Sequence, residues 1–306
     1  MKAGIVSNAE LCIPLLQLLH HNRIASFVFA NIEDPQQFIP VAHVCQSTGI
    51  PVQEGKAPAD LFAWLDKVQP DVVFVMGYRH LINTRALPVH LRDRIFNIHF
   101  GPLPAFKGPN PIFWQLKKGT PTITVTIHRM NEKFDDGPVV WAREIPKQPH
   151  FNYGFAQSIC SQTVLEGIVY LLQQLQQQKP VPVVPSVAGK GAYHKRPVLK
   201  DVLIDWENMP AREIIDLINA CNPWNKGAIT FFNGGEVKLM DAIIVQPPQP
   251  ASSSASGTIV ADGAQLLVMC CDKQVININM LSAYNFFIPG YQSREWGFTA
   301  GKKFGK

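Results

Sequence analysis

The stretch RIFNIHF (94–100) sets an amide and an imidazole two positions apart in an otherwise apolar run. Side chains alternate across a strand, so Phe96, Ile98 and Phe100 share one face while Asn97 and His99 share the other. Polar side chains on one face of a buried strand break the local rule, as functional sites do. The plainer alternative is that both are satisfied by hydrogen bonds in the core. The Pro- and Gly-spaced loop GPLPAFKGPNP (101–111) follows, at the strand's C-terminal end, where open α/β sheets bind ligands. Further on, FDDG (134–137) sets two carboxylates at a turn after the alternating strand TITVTIHRM (122–130). An amide and an imidazole can donate to a developing oxyanion. A carboxylate beside the imidazole favours its protonated form and can accept a proton.

The elements that must hold these groups alternate in type. KAGIVS, IASFVFA (24–30), DVVFVMGY (71–78), RIFNIHF, TITVTIHRM and VVWAREI (139–145) read as strands. Helices are expected over Cys12–His20, Phe38–Thr48, Asp60–Val68, Asn110–Lys117 and 152–178, with Pro14 tolerated in a first turn. Such alternation predicts an α/β domain, a Rossmann-like, mostly parallel sheet with helices on both faces. Near residue 180 the composition changes to KPVPVVPSVAGKGAYHKRP, a Pro-, Gly- and Lys-rich linker. A helix (Ala211–Ala220) and closely spaced short strands follow, separated by turn-rich stretches such as QPPQPASSSASG. They suggest a small β-barrel of the oligonucleotide-binding type. The expected division is a catalytic domain over 1–180, a linker over 181–197 and a C-terminal helix-plus-barrel domain over 198–306.

Composition narrows the classes. With 46% hydrophobic and 17% charged residues in 306, the chain reads as a folded protein with a sizeable core. No apolar run reaches the roughly 18 residues that span a bilayer. The opening segment reads as a strand and helix rather than a secretion signal, and the expected location is cytoplasmic. The six cysteines form no CxxC pair or disulfide framework and read as reduced and structural. The histidines lack metal-ligand spacing, and no metal is inferred. His128 alternates with apolar residues and reads as sheet-face packing. Trp206 and Trp224 read as anchors of the second domain. No G-x-G-x-x-G or P-loop motif follows the first strand, which argues against nicotinamide or ATP there.

NIH, then LP-x-[FY]-[KR]-G-x-x-P, then D-x-G, in that order, resembles the 10-formyltetrahydrofolate-dependent formyltransferase family. MGYRHLI (76–82), NIH, TIHRM and FDDG look most similar to its UDP-4-amino-4-deoxy-L-arabinose formyltransferase group. The likeness extends past the linker through YHKRP, LIDW (203–206) and NPW (222–224). The resemblance implies a catalytic trio of Asn97, His99 and Asp135, the D-x-G pattern selecting Asp135 over Asp136. It implies 10-formyltetrahydrofolate as the formyl donor. By analogy its pterin lies against Met76, Gly77, Tyr78, Arg79, His80, Leu81 and Ile82, largely through backbone. Gly101, Pro102 and Leu103 would border the formyl group. An amine would attack the formyl carbon, Asn97 and His99 would hold the oxyanion, and Asp135 would favour imidazolium at His99.

The acceptor is read as a small-molecule primary amine, first a nucleotide-linked amino sugar. Methionyl-tRNA formyltransferases share the two-domain layout but usually carry a basic insertion after the second strand. Here that segment, ANIEDPQQFIP (30–40), has no Lys or Arg to release counterions from phosphate. Pro109 stands where the sugar enzymes often place Arg, which keeps hydroxyornithine or another metabolite amine open. A formyltetrahydrofolate hydrolase and a silent binding module are the remaining alternatives. The net charge of +5 suits an anionic substrate without identifying one. The apolar, turn-rich second domain offers a surface for a homodimer.

Overall fold

The computed structural model describes residues 1–8, 10–32, 35–185, 191–246 and 254–305. Glu33 and Asp34 of the 30–40 segment, residues 186–190 of the linker and residues 247–253 of the turn-rich stretch lie outside them. The chain forms two compact units. The first comprises Met1–Pro111, Ile123–Ile145 and Gln157–His194, and the second comprises Ile112–Thr122, Pro146–Ala156 and the chain from Lys195 onward.

Strands and helices alternate through the first half. They run β1 (Lys2–Ser7), α1 (Ile13–His21), β2 (Ala25–Ala30), α2 (Pro35–Thr48), β3 (Val52–Glu54), α3 (Pro58–Val68) and β4 (Val72–Met76). There follow β5 (Ile95–His99), α4 (Pro111–Lys117), β6 (Thr122–Arg129), β7 (Val139–Pro146) and α5 (Tyr153–Gln176). The sheet order is β3-β2-β1-β4-β5-β6-β7, parallel from β3 to β5, with β6 antiparallel to β5. This is the expected Rossmann-like, mostly parallel sheet. All five residues of β4 (VVFVM) are buried, as a central parallel strand requires.

Local chemistry sets the helices. Pro14 sits in the first turn of α1, where its missing N–H costs little. Asp60 Oδ2 accepts from the backbone N–H groups of Lys56 (2.8 Å) and Ala57 (2.9 Å), capping α3. Leu61, Trp64 and Leu65, at helical spacing, then pack with Val6, Phe29, Val73, Val75 and Ile95 from the sheet. The three-residue β3 is an addition to the expected elements.

In the second unit, α6 (Leu199–Val202) and α7 (Ala211–Cys221) precede β8 (Ala228–Phe232), β9 (Gly235–Val245) and β10 (Ile259–Ala261). Then come β11 (Leu266–Met269), β12 (Val275–Ala283), β13 (Phe286–Pro289) and β14 (Phe304–Gly305). The antiparallel order is β10-β11-β12-β9-β8-β14, with β13 on β12. Its two edges are joined where Ile259 N donates to Lys302 O (2.8 Å) and Phe304 N to Gly257 O (2.9 Å), so the sheet curls into a small barrel-like form. Trp206 is a buried anchor that donates to Thr230 Oγ1 at 2.8 Å, whereas Trp224 is 42% exposed. None of the six cysteines is disulfide-bonded, and burial pushes the thiols of Cys12, Cys160, Cys221 and Cys270 up to about 12.

Candidate active site

The register of β5 against β6 gathers the polar groups. Asn97 pairs with His128 and His99 with Thr126, and directly opposed residues of an antiparallel pair project to the same face. Asn97 Nδ2 lies 3.0 Å from His128 Nε2 and donates to Asp135 Oδ1 at 3.2 Å. His128 Nδ1 lies 2.9 Å from the Arg129 carbonyl, which can only accept, so Nδ1 carries a hydrogen. In the neutral ring, Nε2 is then the acceptor for the Asn97 amide.

Asp135 is the hub. Its Oδ1 lies 3.6 Å from both His99 Nδ1 and His128 Nε2, within electrostatic reach but too far for a hydrogen bond. Its Oδ2 accepts from the Gly108 backbone N–H at 2.8 Å. Burial alone would raise the carboxyl, but His128, His99 and the Gly108 N–H together hold it below the usual carboxylate value. The residue sits at φ 49°, a left-handed conformation that Asp tolerates better than most side chains. Gly137 explains the glycine of D-x-G: a Cβ there would lie 1.7 Å from the Arg129 carbonyl oxygen. Asp136 faces elsewhere, onto Lys107 and, at 3.9 Å, Lys133.

His99 is held by opposing influences. Its ring is 6% exposed, and burial pushes its pKa below the ordinary 6.5. Asp135 and the Phe106 carbonyl oppose that push without overcoming it, so the ring favours its neutral form at neutral pH. Its Nε2 meets Phe106 O at 2.7 Å and must carry the hydrogen. The Nδ1 lone pair is left facing Asp135. In this state His99 can take a proton at Nδ1 and cannot give one there.

The expected folate loop leaves β4 just past the Val75–Asn97 pairing, beside Asn97. Met76 and Ile82 are 2% and 1% exposed, so their side chains belong to the core. Gly77 (φ 74°), Arg79 and Leu81 are exposed, and Arg79 Nε lies 3.3 Å from His80 Nε2. The Tyr78 ring meets His80 edge-on at 5.4 Å, and its buried hydroxyl has no hydrogen-bond partner among the described residues. Gly101 fits tightly, since a Cβ would lie 2.7 Å from Pro111 and 3.2 Å from His99 Nε2. Pro102 O accepts from Phe106 N at 2.9 Å, closing the turn that presents the Phe106 carbonyl. Leu103, Pro104, Lys107, Asp135, Asp136 and Val139 are among the residues lining a cleft of about 350 Å³. Among the described residues, no group of three or more His, Cys, Asp and Glu is placed to hold a metal ion. None of their helices is long and apolar enough to cross a membrane.

Sequence reasoning missed His128, which is buried as expected but contacts Asn97 and lies 3.6 Å from Asp135. It also missed the backbone groups of Phe106 and Gly108. The alternation of TITVTIHRM was the one available signal for His128, and only the register against β5 gives it meaning.

A doubly wound sheet with this cluster at the end of β5, followed by a curled antiparallel sheet, matches known proteins. The formyl transferase model matches residues 21–152, and the model described as formyl transferase, C-terminal domain, matches residues 199–284. The chain belongs to the formyl transferase family. It is 29% identical over 208 residues to a methionyl-tRNA formyltransferase of Fervidobacterium nodosum, covering 68% of this chain and 64% of that one. HypX from Aquifex aeolicus, solved in complex with tetrahydrofolic acid, shares the fold with a TM-score of 0.66 at 17% identity. That match covers 99% of this chain and 48% of HypX, so the chain spans about half of that protein. An N-formyltransferase from Helicobacter canadensis, solved with folinic acid and dTDP-3-aminofucose, gives a TM-score of 0.66 at 14% identity, covering 91% of this chain and 98% of that one.

Proposed function

We propose that this protein transfers the formyl group of 10-formyltetrahydrofolate to a primary amine, and that the amine belongs to a nucleotide-linked amino sugar. One observation carries the reaction: Asn97, His99 and Asp135 converge at the end of β5, with Asp135 Oδ1 3.2 Å from Asn97 Nδ2 and 3.6 Å from His99 Nδ1. The neutral amine attacks the formyl carbon, and the carbonyl electron pair moves onto oxygen. Asn97 redirects one amide hydrogen from Asp135 to that oxyanion, a contact typically worth about 10²–10³ in rate. His99 Nδ1 takes the proton lost by the attacking nitrogen, and Asp135 stabilises the resulting imidazolium. As the tetrahedral centre collapses, the C–N10 bond breaks and N10 takes the proton back, releasing tetrahydrofolate and the formamide.

The donor reading draws support from the folate ligands of the HypX and Helicobacter canadensis proteins. The sugar reading rests on the aminosugar nucleotide bound by the latter, and on a segment 30–40 without Lys or Arg. The Fervidobacterium nodosum relative favours a second reading, formylation of methionyl-tRNA. Purified protein should be given 10-formyltetrahydrofolate with UDP- and dTDP-linked amino sugars, hydroxyornithine or initiator methionyl-tRNA in parallel. Transfer to a sugar nucleotide alone is expected. Transfer to tRNA alone would replace the acceptor assignment, and no transfer to any amine would remove the reaction.

A further inference from the structure

Residues 191–194 fall within the stretch that reads as a linker, yet they are hydrogen-bonded to the loop after β5. Ala192 N donates to Pro104 O (3.1 Å), Lys107 N to Ala192 O (3.0 Å) and His194 N to Lys107 O (2.8 Å). The His194 ring stacks on Phe106 with centroids 5.2 Å apart. Gly108, at φ 98°, lies against the same segment, and a Cβ there would sit 2.2 Å from His194 O. The residues so held are the ones that touch the site. Phe106 O receives His99 Nε2, Lys107 pairs with Asp136, and Gly108 N donates to Asp135.

A neutral imidazole has two tautomers, and two acceptors compete for the single hydrogen of His99. The Asp135 carboxylate, 3.6 Å from Nδ1, favours a hydrogen there; the Phe106 carbonyl, 2.7 Å from Nε2, favours it on the other nitrogen. The position of one loop carbonyl therefore decides whether Nδ1 offers a lone pair. We infer that residues 191–194, His194 foremost, position the active site by keeping the Phe106 carbonyl on His99 Nε2, which turns a lone pair toward Asp135. The kinetic consequence rests on the proposed role of His99 as the base; the tautomer itself does not.

The test uses the full-length chain with ¹⁵N-labelled histidine and reads the His99 ring nitrogens by NMR beside steady-state kinetics. The wild type is expected to hold His99 with its hydrogen on Nε2. His194→Ala should move population to the Nδ1–H form and lower kcat by roughly 10–100-fold, the range for lost supporting contacts. KM for donor and amine should stay within about twofold, since the His194 ring stacks on Phe106 and does not itself line the cleft. His194→Phe keeps the ring stack and should restore both readouts. Finding Nδ1–H in the wild type, or Nε2–H with wild-type kcat in His194→Ala, would overturn the inference. The wild-type tautomer is read without any variant, so a His194→Ala chain that fails to fold leaves the test standing. If the wild type transfers no formyl group, the proposed function falls, while the tautomer still decides this inference.

Discussion

Asn97 and His128 face each other across the β5–β6 pair, the Asn97 amide nitrogen 3.0 Å from His128 Nε2. That contact orients the amide so that its other hydrogen reaches Asp135. It makes His128 a supporting member of the site although it is only 2% exposed. His128→Leu is expected to leave a donor of Asn97 unpaired, at a cost of about 1–3 kcal/mol in stability. The kcat should fall roughly 10–100-fold, as for other groups that orient a reacting side chain. Urea titration and kcat measured on the same preparation check both; a stable variant with unchanged kcat would remove His128 from the site.

The neighbouring carboxylates should separate cleanly. Asp135 is 13% exposed and contacts Asn97 and Gly108, whereas the Asp136 side chain is 34% exposed and pairs with Lys107. Asp135→Asn is expected to lower kcat by on the order of 10²–10³, the scale of a lost electrostatic contact in the transition state. Asp136→Asn should cost less than about tenfold, because a partly exposed ion pair contributes little. The reverse ranking would reassign the acid.

The pH profile follows from His99. Burial holds the ring below its ordinary 6.5, Asp135 and the Phe106 carbonyl raise it, and the charge of nearby His128 lowers it further. A base must be unprotonated, so kcat/KM should fall on the acid side of a midpoint below 6.5. Asp135→Asn removes the negative charge that raises His99, so the midpoint should move to still lower pH. A midpoint that moves upward in that variant would contradict the pairing.

Gly137→Ala is a test of sterics. A Cβ there would sit 1.7 Å from the Arg129 carbonyl oxygen, and backbone must move to admit it. Stability should fall by several kcal/mol, the overpacking range extended by a backbone clash, roughly 3 or more. Gly234, at φ 78° with open space around it, is the control, and Gly234→Ala should cost only about 1 kcal/mol. Equal losses in the two variants would mean that the D-x-G turn relaxes freely.

Much of this was legible in the sequence because it depends on short-range pattern. The alternation of RIFNIHF placed Asn97 and His99 on one face, and the strand–helix alternation gave the parallel sheet. The D-x-G pattern points to Asp135, whose carboxylate meets Asn97 and Gly108, and the crowding at Gly137 accounts for the glycine. What stayed hidden depends on long-range pairing. His128 joins the site through the β5–β6 register, and residues 191–194 join it through backbone bonds to residues 104–107 that no side-chain pattern announces. At His99 the Asp135 attraction is visible in sequence, while the burial that opposes and outweighs it shows only in the fold. The edge strands β3 and β14, three and two residues long, are too short to show a period.

The central claim is that Asn97, His99 and Asp135 pass a formyl group from folate to an amine, and a single-turnover experiment tests it most directly. Enzyme in excess is mixed with 10-formyltetrahydrofolate and the accepted amine, and tetrahydrofolate, formamide product and free formate are measured together. Tetrahydrofolate and formamide should rise in equal amounts with the same rate constant in the wild type. In Asn97→Ala that rate constant should fall by on the order of 10²–10³. An Asn97→Ala protein with the wild-type rate, or tetrahydrofolate accompanied by free formate and no formamide, would contradict the account.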